Sequence, residues 1–244
     1  MSRQLDAAFT SPAAKAGHVR RLFATIADRY DLITRVLSYG MDARWKRRLV
    51  ALADVRTDEV ALDLASGTGD VARLVAARGA HAVGLDLTLR MIEIARDKPA
   101  PAAAAPLRWL VGDMHALPLP SGTVSLVTTS YGLRNVPDLD VAIDEIVRVL
   151  TPGGRLLSLD FNKPESPLVR RAYLAYLRVV GGVLGWWLHG DPDTYRYIPA
   201  SIERYPGAAG VAARLRQRGF ADVKIVPILF GLMTIHVARR SGPL

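Results

Sequence analysis

The stretch LDLASGTGD, residues 62–70, sets two glycines that let a ligand approach the backbone between two carboxylates that repel a phosphate. It ends an apolar run, EVALDLA, that reads as a β-strand. It precedes DVARLVAARGA, whose apolar spacing is helical and which Gly79 stops. Gly67, Gly69 and Ala72 keep G-x-G-x-x-A spacing, and Asp86 ends the next strand about twenty residues on. Strand, glycine turn and helix together open a doubly wound α/β fold.

The alternation continues outward. HAVGLDL, LRWLVGD, TVSLVTTS and RLLSLDF read as strands, LRMIEIARD as a helix, and LDVAIDEIVRVL as a helix ended by TPGG. ADVKIVPILF and LMTIHVARR close the chain as strands, which predicts a seven-stranded, mostly parallel sheet with helices on both faces. KPAPAAAAPL, alanines between prolines, reads as a connector. The division expected is a single domain over residues 1–244. It comprises an N-terminal helical cap (15–55), a cofactor-binding core (56–163), a helical lid insertion (164–205) and a C-terminal helix with strands (206–244). Cap and lid can both fold over the carboxyl ends of the strands, where open α/β sheets bind ligands.

Composition bounds the chemistry. At 244 residues with 50% hydrophobic and 23% charged side chains, the chain has the make-up of a soluble globular domain. It has no cysteine, which excludes disulfides, thiolate metal sites and cysteine nucleophiles and fits a cytoplasmic protein. The N-terminal stretch has no apolar core of signal-peptide length, and VVGGVLGWWL is too short to span a bilayer. A net charge of +9 and a pI near 10.2 point to an anionic partner surface. Arginine pairs without interleaved aromatics argue for phospholipid headgroups over nucleic acid.

The glycine loop alone admits NAD, but a pyrophosphate at this helix N-terminus would meet Asp63 and Asp70. S-adenosylmethionine has no phosphate. It carries an ammonium, a sulfonium and an adenosine, and suits a glycine turn between carboxylates. Asp113, closing the third strand in LVGDMHALPLP, can accept from an adenine amine while Met114 packs on the ring.

LDLASGTGD, GLDLTLRMIEIAR, VGDMHALPLP and LTPGGRLL together resemble the successive motifs of Rossmann-like class I S-adenosylmethionine-dependent methyltransferases. More specifically, TTSYGLRNVPDLDVAIDEIVRVLTPGGRLLSLDFNKP, with RYDL and YRYIPASI, is similar to the ubiquinone/menaquinone biosynthesis C-methyltransferases over roughly residues 18 to 240. The resemblance implies methyl transfer to a ring carbon of a prenylated quinol. Cofactor-binding candidates are then Asp63, Gly67, Thr68, Gly69, Asp86 with Leu87, Asp113, Met114 and Ser130. Substrate candidates are Tyr30, Tyr131, Tyr195 and Arg196. Tyr131 replaces a usual phenylalanine, and Asp160 and Asn162 stand where the family has glutamate and serine.

Methylating a ring carbon requires the neighbouring hydroxyl to lose its proton, and a free phenol titrates near pH ~10. Arg134 in YGLRNV is the candidate phenolate stabiliser, with Asn135 holding a second oxygen and Asp138 or Asp140 as alternative partners for the arginine. His115 is a rival base. No metal is expected, since the five histidines lack ligand spacing. Trp186 and Trp187 suit a tunnel, a membrane interface or a buried lid helix. The expected setting is cytoplasmic, peripheral on the inner face of an anionic membrane. Rival functions are methylation of another small aromatic acceptor at carbon or oxygen, an NAD-dependent oxidoreductase, and a nonenzymatic RNA-binding module. The choice of quinol and dimerisation stay open.

Overall fold

In the computed structural model, residues 3–99 and 105–242 are described, so part of the predicted proline–alanine connector lies outside them. The strands are β1 (Val60–Leu64), β2 (His81–Asp86), β3 (Leu107–Val111), β4 (Val124–Ser130), β5 (Leu150–Phe161), β6 (Phe220–Ile228) and β7 (Met233–Arg240). They form one sheet in the order β3-β2-β1-β4-β5-β7-β6. The first five run parallel, while β7 is antiparallel to both its neighbours. A tight turn at Leu229–Gly231 joins β6 to β7, and a connection that short can only reverse the chain.

Helices α1 (Arg3–Ala7), α2 (Pro12–Ile26), α3 (Tyr30–Leu37) and α4 (Asp42–Leu52) precede the sheet. Helices α5 (Asp70–Ala76), α6 (Leu89–Asp97) and α7 (Leu139–Val149) connect its parallel strands. Helices α8 (Pro167–His189) and α9 (Asp193–Arg204) are inserted after β5, and α10 (Gly207–Gln217) leads into β6. Strand alternation splits the interior in two. Leu62, Val127 and Leu156 face one core with Ile143, Ile146 and Leu215. Ala61, Leu126 and Leu157 face the other with Leu49, Val71 and Val75. Covered on both faces, the central strands read as continuous apolar runs.

One boundary differs from the sequence reading. TPGG does not end α7 as a free turn, because β5 starts at Leu150, which pairs with Val124, and carries Gly153 in the left-handed region (φ +75°). The register then shifts before Arg155 pairs with Leu126. Gly69 caps α5 at φ +86°, and a Cβ there would stand 2.3 Å from the Trp109 ring on β3. Only glycine meets both demands.

The two helical additions meet each other. Leu5 and Val19 pack on Tyr197 and Ala200 of α9, and Ile26 and Ile33 pack on Tyr195. Both therefore close over the same end of the sheet.

Candidate active site

Asp86, at the carboxyl end of β2, ties two turns together. Its Oδ2 accepts from the Gly67 N–H at 2.8 Å and its Oδ1 from the Thr88 N–H at 2.8 Å. Burial raises this carboxyl above its ordinary range while those N–H groups oppose the rise. Around it opens a cleft of about 780 Å³ lined by Gly67, Asp86, Leu87, Asp113, Met114 and Ser130, and closed from above by Val19, Phe23 and Tyr30. A Cβ at Gly132 would lie 2.4 Å from Thr129 Oγ1 and 2.9 Å from Ala65 Cβ, so the far wall also needs a glycine.

A second, apolar cavity of about 1080 Å³ lies between α3, α8, α9 and the ends of β5 and β7, with Trp45, Phe161, Tyr173 and Tyr197 in its walls. Phe23, Tyr30, Tyr131 and Asn135 line both spaces. The two cavities therefore share one wall, at the tip of β4. Burial pushes the Tyr30 hydroxyl up to about 12, so it is a neutral donor at any physiological pH.

Tyr131 stands in the left-handed region (φ +62°), a conformation that L residues rarely hold without a purpose. Its hydroxyl donates to Asp42 Oδ1 at 2.7 Å. Lys46 lies 2.6 Å from Asp42 Oδ2 and 2.9 Å from Asp70 Oδ2, and Lys98 bridges Asp70 to Asp31. Burial would lower the Lys46 ammonium, but Asp70 and Asp42 hold it above its usual range. A chain of charge thus runs from the shared wall to the half-exposed Asp70.

Arg134 is buried and points at Asp160, not at Asp138 or Asp140. Asp160 accepts from Arg134 Nε at 3.2 Å and from its backbone N–H at 3.0 Å, so the aspartate reaches despite its shorter side chain. Arg134 Nη1 donates to Ser201 and Asn135. Nη2 has no partner among the described residues, and Arg134 lines the second cavity. Burial raises the Asp160 carboxyl, against the pull of Arg134. The Asn135 amide braces the turn, donating to the Tyr131 carbonyl at 2.7 Å and accepting from Arg134, and it keeps a second N–H where it lines both cavities.

Several candidates lie elsewhere. Asp63 is buried away from the cleft, its Oδ1 accepting from Thr128 and its Oδ2 from the Ala72 N–H. Asp70 is balanced by two lysines that hold it low against the effect of burial. The repulsion expected from this pair is therefore weakened, since both carboxylates are engaged by protein groups. The Tyr30 ring stands 3.6 Å from where a Gly67 Cβ would sit and lines the same cleft. Thr68 is buried and donates to Asp31 at 2.6 Å, and Gly69 faces Trp109, so neither lines the cleft. Tyr195 lines the second cavity, but Arg196 is exposed and pairs with Asp193 because its α9 position turns it outward. His115 is held at 2.7 Å from the Asp138 carbonyl, outside both cavities. Among the described residues no group of three or more His, Cys, Asp or Glu is placed to hold a metal ion.

Some site residues were invisible in the sequence. Phe23 and Asp42 carry no motif, and Lys15 sits in an ordinary helix. Folding places the Lys15 ammonium 3.1 Å from the Arg134 carbonyl and 2.6 Å from that of Val136, and burial lowers it to about 8, helped by Arg134.

Asp63 also sets a pH dependence. Burial pushes its carboxyl up to about 7, against the hydrogen bonds from Thr128 and Ala72. The folded protein therefore keeps this proton between the unfolded value of 3.8 and about 7, where the unfolded chain has lost it. The contribution of Asp63 to stability falls as pH rises through that window and is level above it. Asp63→Asn cannot ionise, so urea titrations across the window should show the fall reduced, on the order of a few kcal/mol.

The geometry has counterparts. The ubiE/COQ5 methyltransferase family model matches residues 11–240. A demethylmenaquinone methyltransferase from Thermus thermophilus is 41% identical over 221 residues, 90% of this chain and 100% of that protein. A ubiquinone/menaquinone biosynthesis C-methyltransferase from Rubrivivax gelatinosus is 38% identical over 92% of this chain and 87% of its own length. Among solved structures, a SAM-dependent methyltransferase from Thermotoga maritima aligns with a TM-score of 0.63 at 17% identity, over 91% of this chain and 99% of that one. One from Aquifex aeolicus aligns at 0.56 and 15%, over 80% and 89%. These last two share the fold.

Proposed function

The chain belongs to the ubiE/COQ5 methyltransferase family, and from that premise we propose that it methylates a ring carbon of a prenylated quinol in respiratory quinone biosynthesis, with S-adenosyl-L-methionine as donor. The observation that carries this reading is the pair of cavities meeting at Tyr30, Tyr131 and Asn135, one glycine- and carboxylate-lined, the other apolar and aromatic.

The first cleft fits the donor. Asp86 spends one lone pair of each oxygen on a backbone N–H and keeps others for a ribose diol. Asp113 keeps an oxygen beyond the one that accepts from the His115 N–H, and Met114 lies beside it. Gly67 opens the turn to a cationic group, and the cleft's own charged side chains are both acidic. When bound, the donor supplies an electrophilic methyl on a positively charged sulfur.

The chain's own residues then manage the acceptor. Arg134 directs its unpartnered Nη2 at an acceptor oxygen, while Asp160 cancels most of its net charge, so it orients more than it acidifies. Tyr131 already donates to Asp42, which leaves its oxygen to accept from the acceptor hydroxyl. Burial, and then Asp42, keep the Tyr131 phenol well above its ordinary range, so it relays a proton without ionising. Charged or titratable groups around it are Asp42 and Lys46 of α4, Tyr30 of α3 and Asp160 of β5. Per turnover one methyl–sulfur bond breaks, one carbon–carbon bond forms and one proton leaves. It passes through Tyr131 to the Asp42 carboxylate and from there to solvent, while the Lys46 ammonium stays charged between Asp42 and Asp70 and steadies both.

Two variants test the relay. Tyr131→Phe and Asp42→Asn should each lower kcat by about 10-fold or more, with donor affinity near wild type by calorimetry. In Tyr131→Phe the rate should climb with pH as hydroxide takes over the proton. Unchanged kcat and an unchanged pH profile in both would remove the relay. The reaction itself is checked with labelled S-adenosyl-L-methionine and a panel of demethylmenaquinols and ubiquinol precursors. Label appearing only in simpler aromatics would favour another small acceptor. The acceptor's tail puts the working site at a membrane, and a net charge of +9 supports attraction to its anionic cytoplasmic face.

A further inference from the structure

Helix α8 is apolar on two opposite faces. Leu174, Leu177, Gly181 and Gly185 face the protein, and a Cβ at Gly185 would stand 2.5 Å from the Asp191 carbonyl, so this side is packed tight. On the far side Leu168, Val169, Tyr176, Val179, Val183, Trp186 and Trp187 recur at helical spacing, all exposed, the two tryptophans 68% and 72% so. No charged residue falls within that arc. An apolar helix face this broad is ordinarily covered, and this one faces outward.

The stripe does not stop at α8. Tyr39, at the end of α3, stacks on Tyr176 at 6.4 Å between ring centroids, and brings Leu32 and Val36 alongside. The Arg29 guanidinium donates to the Leu188 carbonyl and fixes α3 against the end of α8. In the β6–β7 turn, Phe230 is fully exposed, next to Leu229. Tyr39, Tyr176 and Leu229 are exposed and also line the second cavity, so its mouth opens within this patch. Exposed Arg35 and Arg171 border it, with no ion pair among the described residues.

We infer that this face docks on a lipid bilayer containing anionic headgroups, with α8 lying in the plane of the interface and the acceptor entering the second cavity directly from the membrane. Three observations select a bilayer as occupant. A second copy of the chain on this face would seal the mouth, whereas a lipid surface leaves it open to a tailed acceptor. Two adjacent tryptophans are interfacial residues, and the bordering arginines match anionic headgroups. Among the described residues no helix is long and apolar enough to cross a membrane, so the stripe lies on the surface. The entry route rests on the prenylated acceptor proposed above. The docking face does not.

The test uses the full chain and vesicles of phosphatidylcholine, alone or mixed with phosphatidylglycerol. The protein should sediment with the mixed vesicles, with a blue shift of indole emission. Trp186→Ser with Trp187→Ser should weaken vesicle binding about 10-fold or more, and Arg35→Glu with Arg171→Glu should weaken it most at low salt. None of these four residues lines either cavity, so turnover of a short-tailed, water-soluble acceptor should stay within about twofold of wild type. Turnover of a long-tailed acceptor in vesicles should fall with binding. If the acceptor reading were wrong, vesicle binding would still respond to the substitutions while neither acceptor was methylated. The docking face is overturned by wild-type protein that stays off mixed vesicles, by binding indifferent to the substitutions, or by a stable dimer in sedimentation equilibrium that the tryptophan substitutions dissociate.

Discussion

Arg134→Ala is expected to destabilise the fold by about 3–5 kcal/mol, because it strands the Asp160 carboxyl, 1% exposed, without its partner. The loss is larger than that of a surface ion pair, which contributes about 0–1 kcal/mol. Urea unfolding of the variant should show an earlier midpoint with the slope little changed. The double variant Arg134→Met with Asp160→Leu removes both charges and should recover much of the stability, since apolar replacements of a buried pair are often neutral. Methyl transfer should not return with it, because Nη2 is gone from the second cavity. Recovery of both stability and turnover would reduce Arg134 to a packing element.

Asp86→Ala is expected to weaken donor binding by about 10²–10³-fold. A carboxylate hydrogen bond contributes about 1.5–3 kcal/mol, and the variant forfeits those to the ribose while releasing the Gly67 and Thr88 N–H groups that shape the turn. Isothermal titration with S-adenosyl-L-methionine measures the change. Asp63→Asn is the matched control, one strand earlier and equally buried. Since Asp63 serves Thr128 and Ala72 and does not line the cleft, its donor affinity should stay within a few fold of wild type. Equal losses in both variants would mean that the cleft does not distinguish them and that Asp86 acts only through the turn.

The two aspartates show where sequence reasoning runs out. Both end strands beside the glycine turn, and both read as ligand contacts by spacing. A strand sends alternate side chains to opposite faces, so a shift of one residue decides whether a carboxylate meets the cleft or the backbone of α5. The sequence places Asp63 and Asp70 as two bare carboxylates beside the turn. In the fold Asp63 is taken up by Thr128 and the Ala72 N–H, and Asp70 by Lys46 and Lys98, the first lysine from a helix upstream of the turn. Arg134 was recognisable from YGLRNV, but its partner Asp160 comes from the neighbouring strand, beyond any local pattern.

By itself the sequence determined the α/β class, the order of elements, the glycine turn with Asp86, and the family, because period, turn chemistry and motif spacing are local properties of the chain. Only the tertiary structure decided that Tyr131, Asp42 and Lys46 form one line of charge, that Arg134 is neutralised, and that the exposed stripe of α8 surrounds a cavity mouth. Those facts depend on side chains distant in sequence meeting in space, and on which face of each helix the packing leaves uncovered. Hydrophobic spacing alone does not specify either.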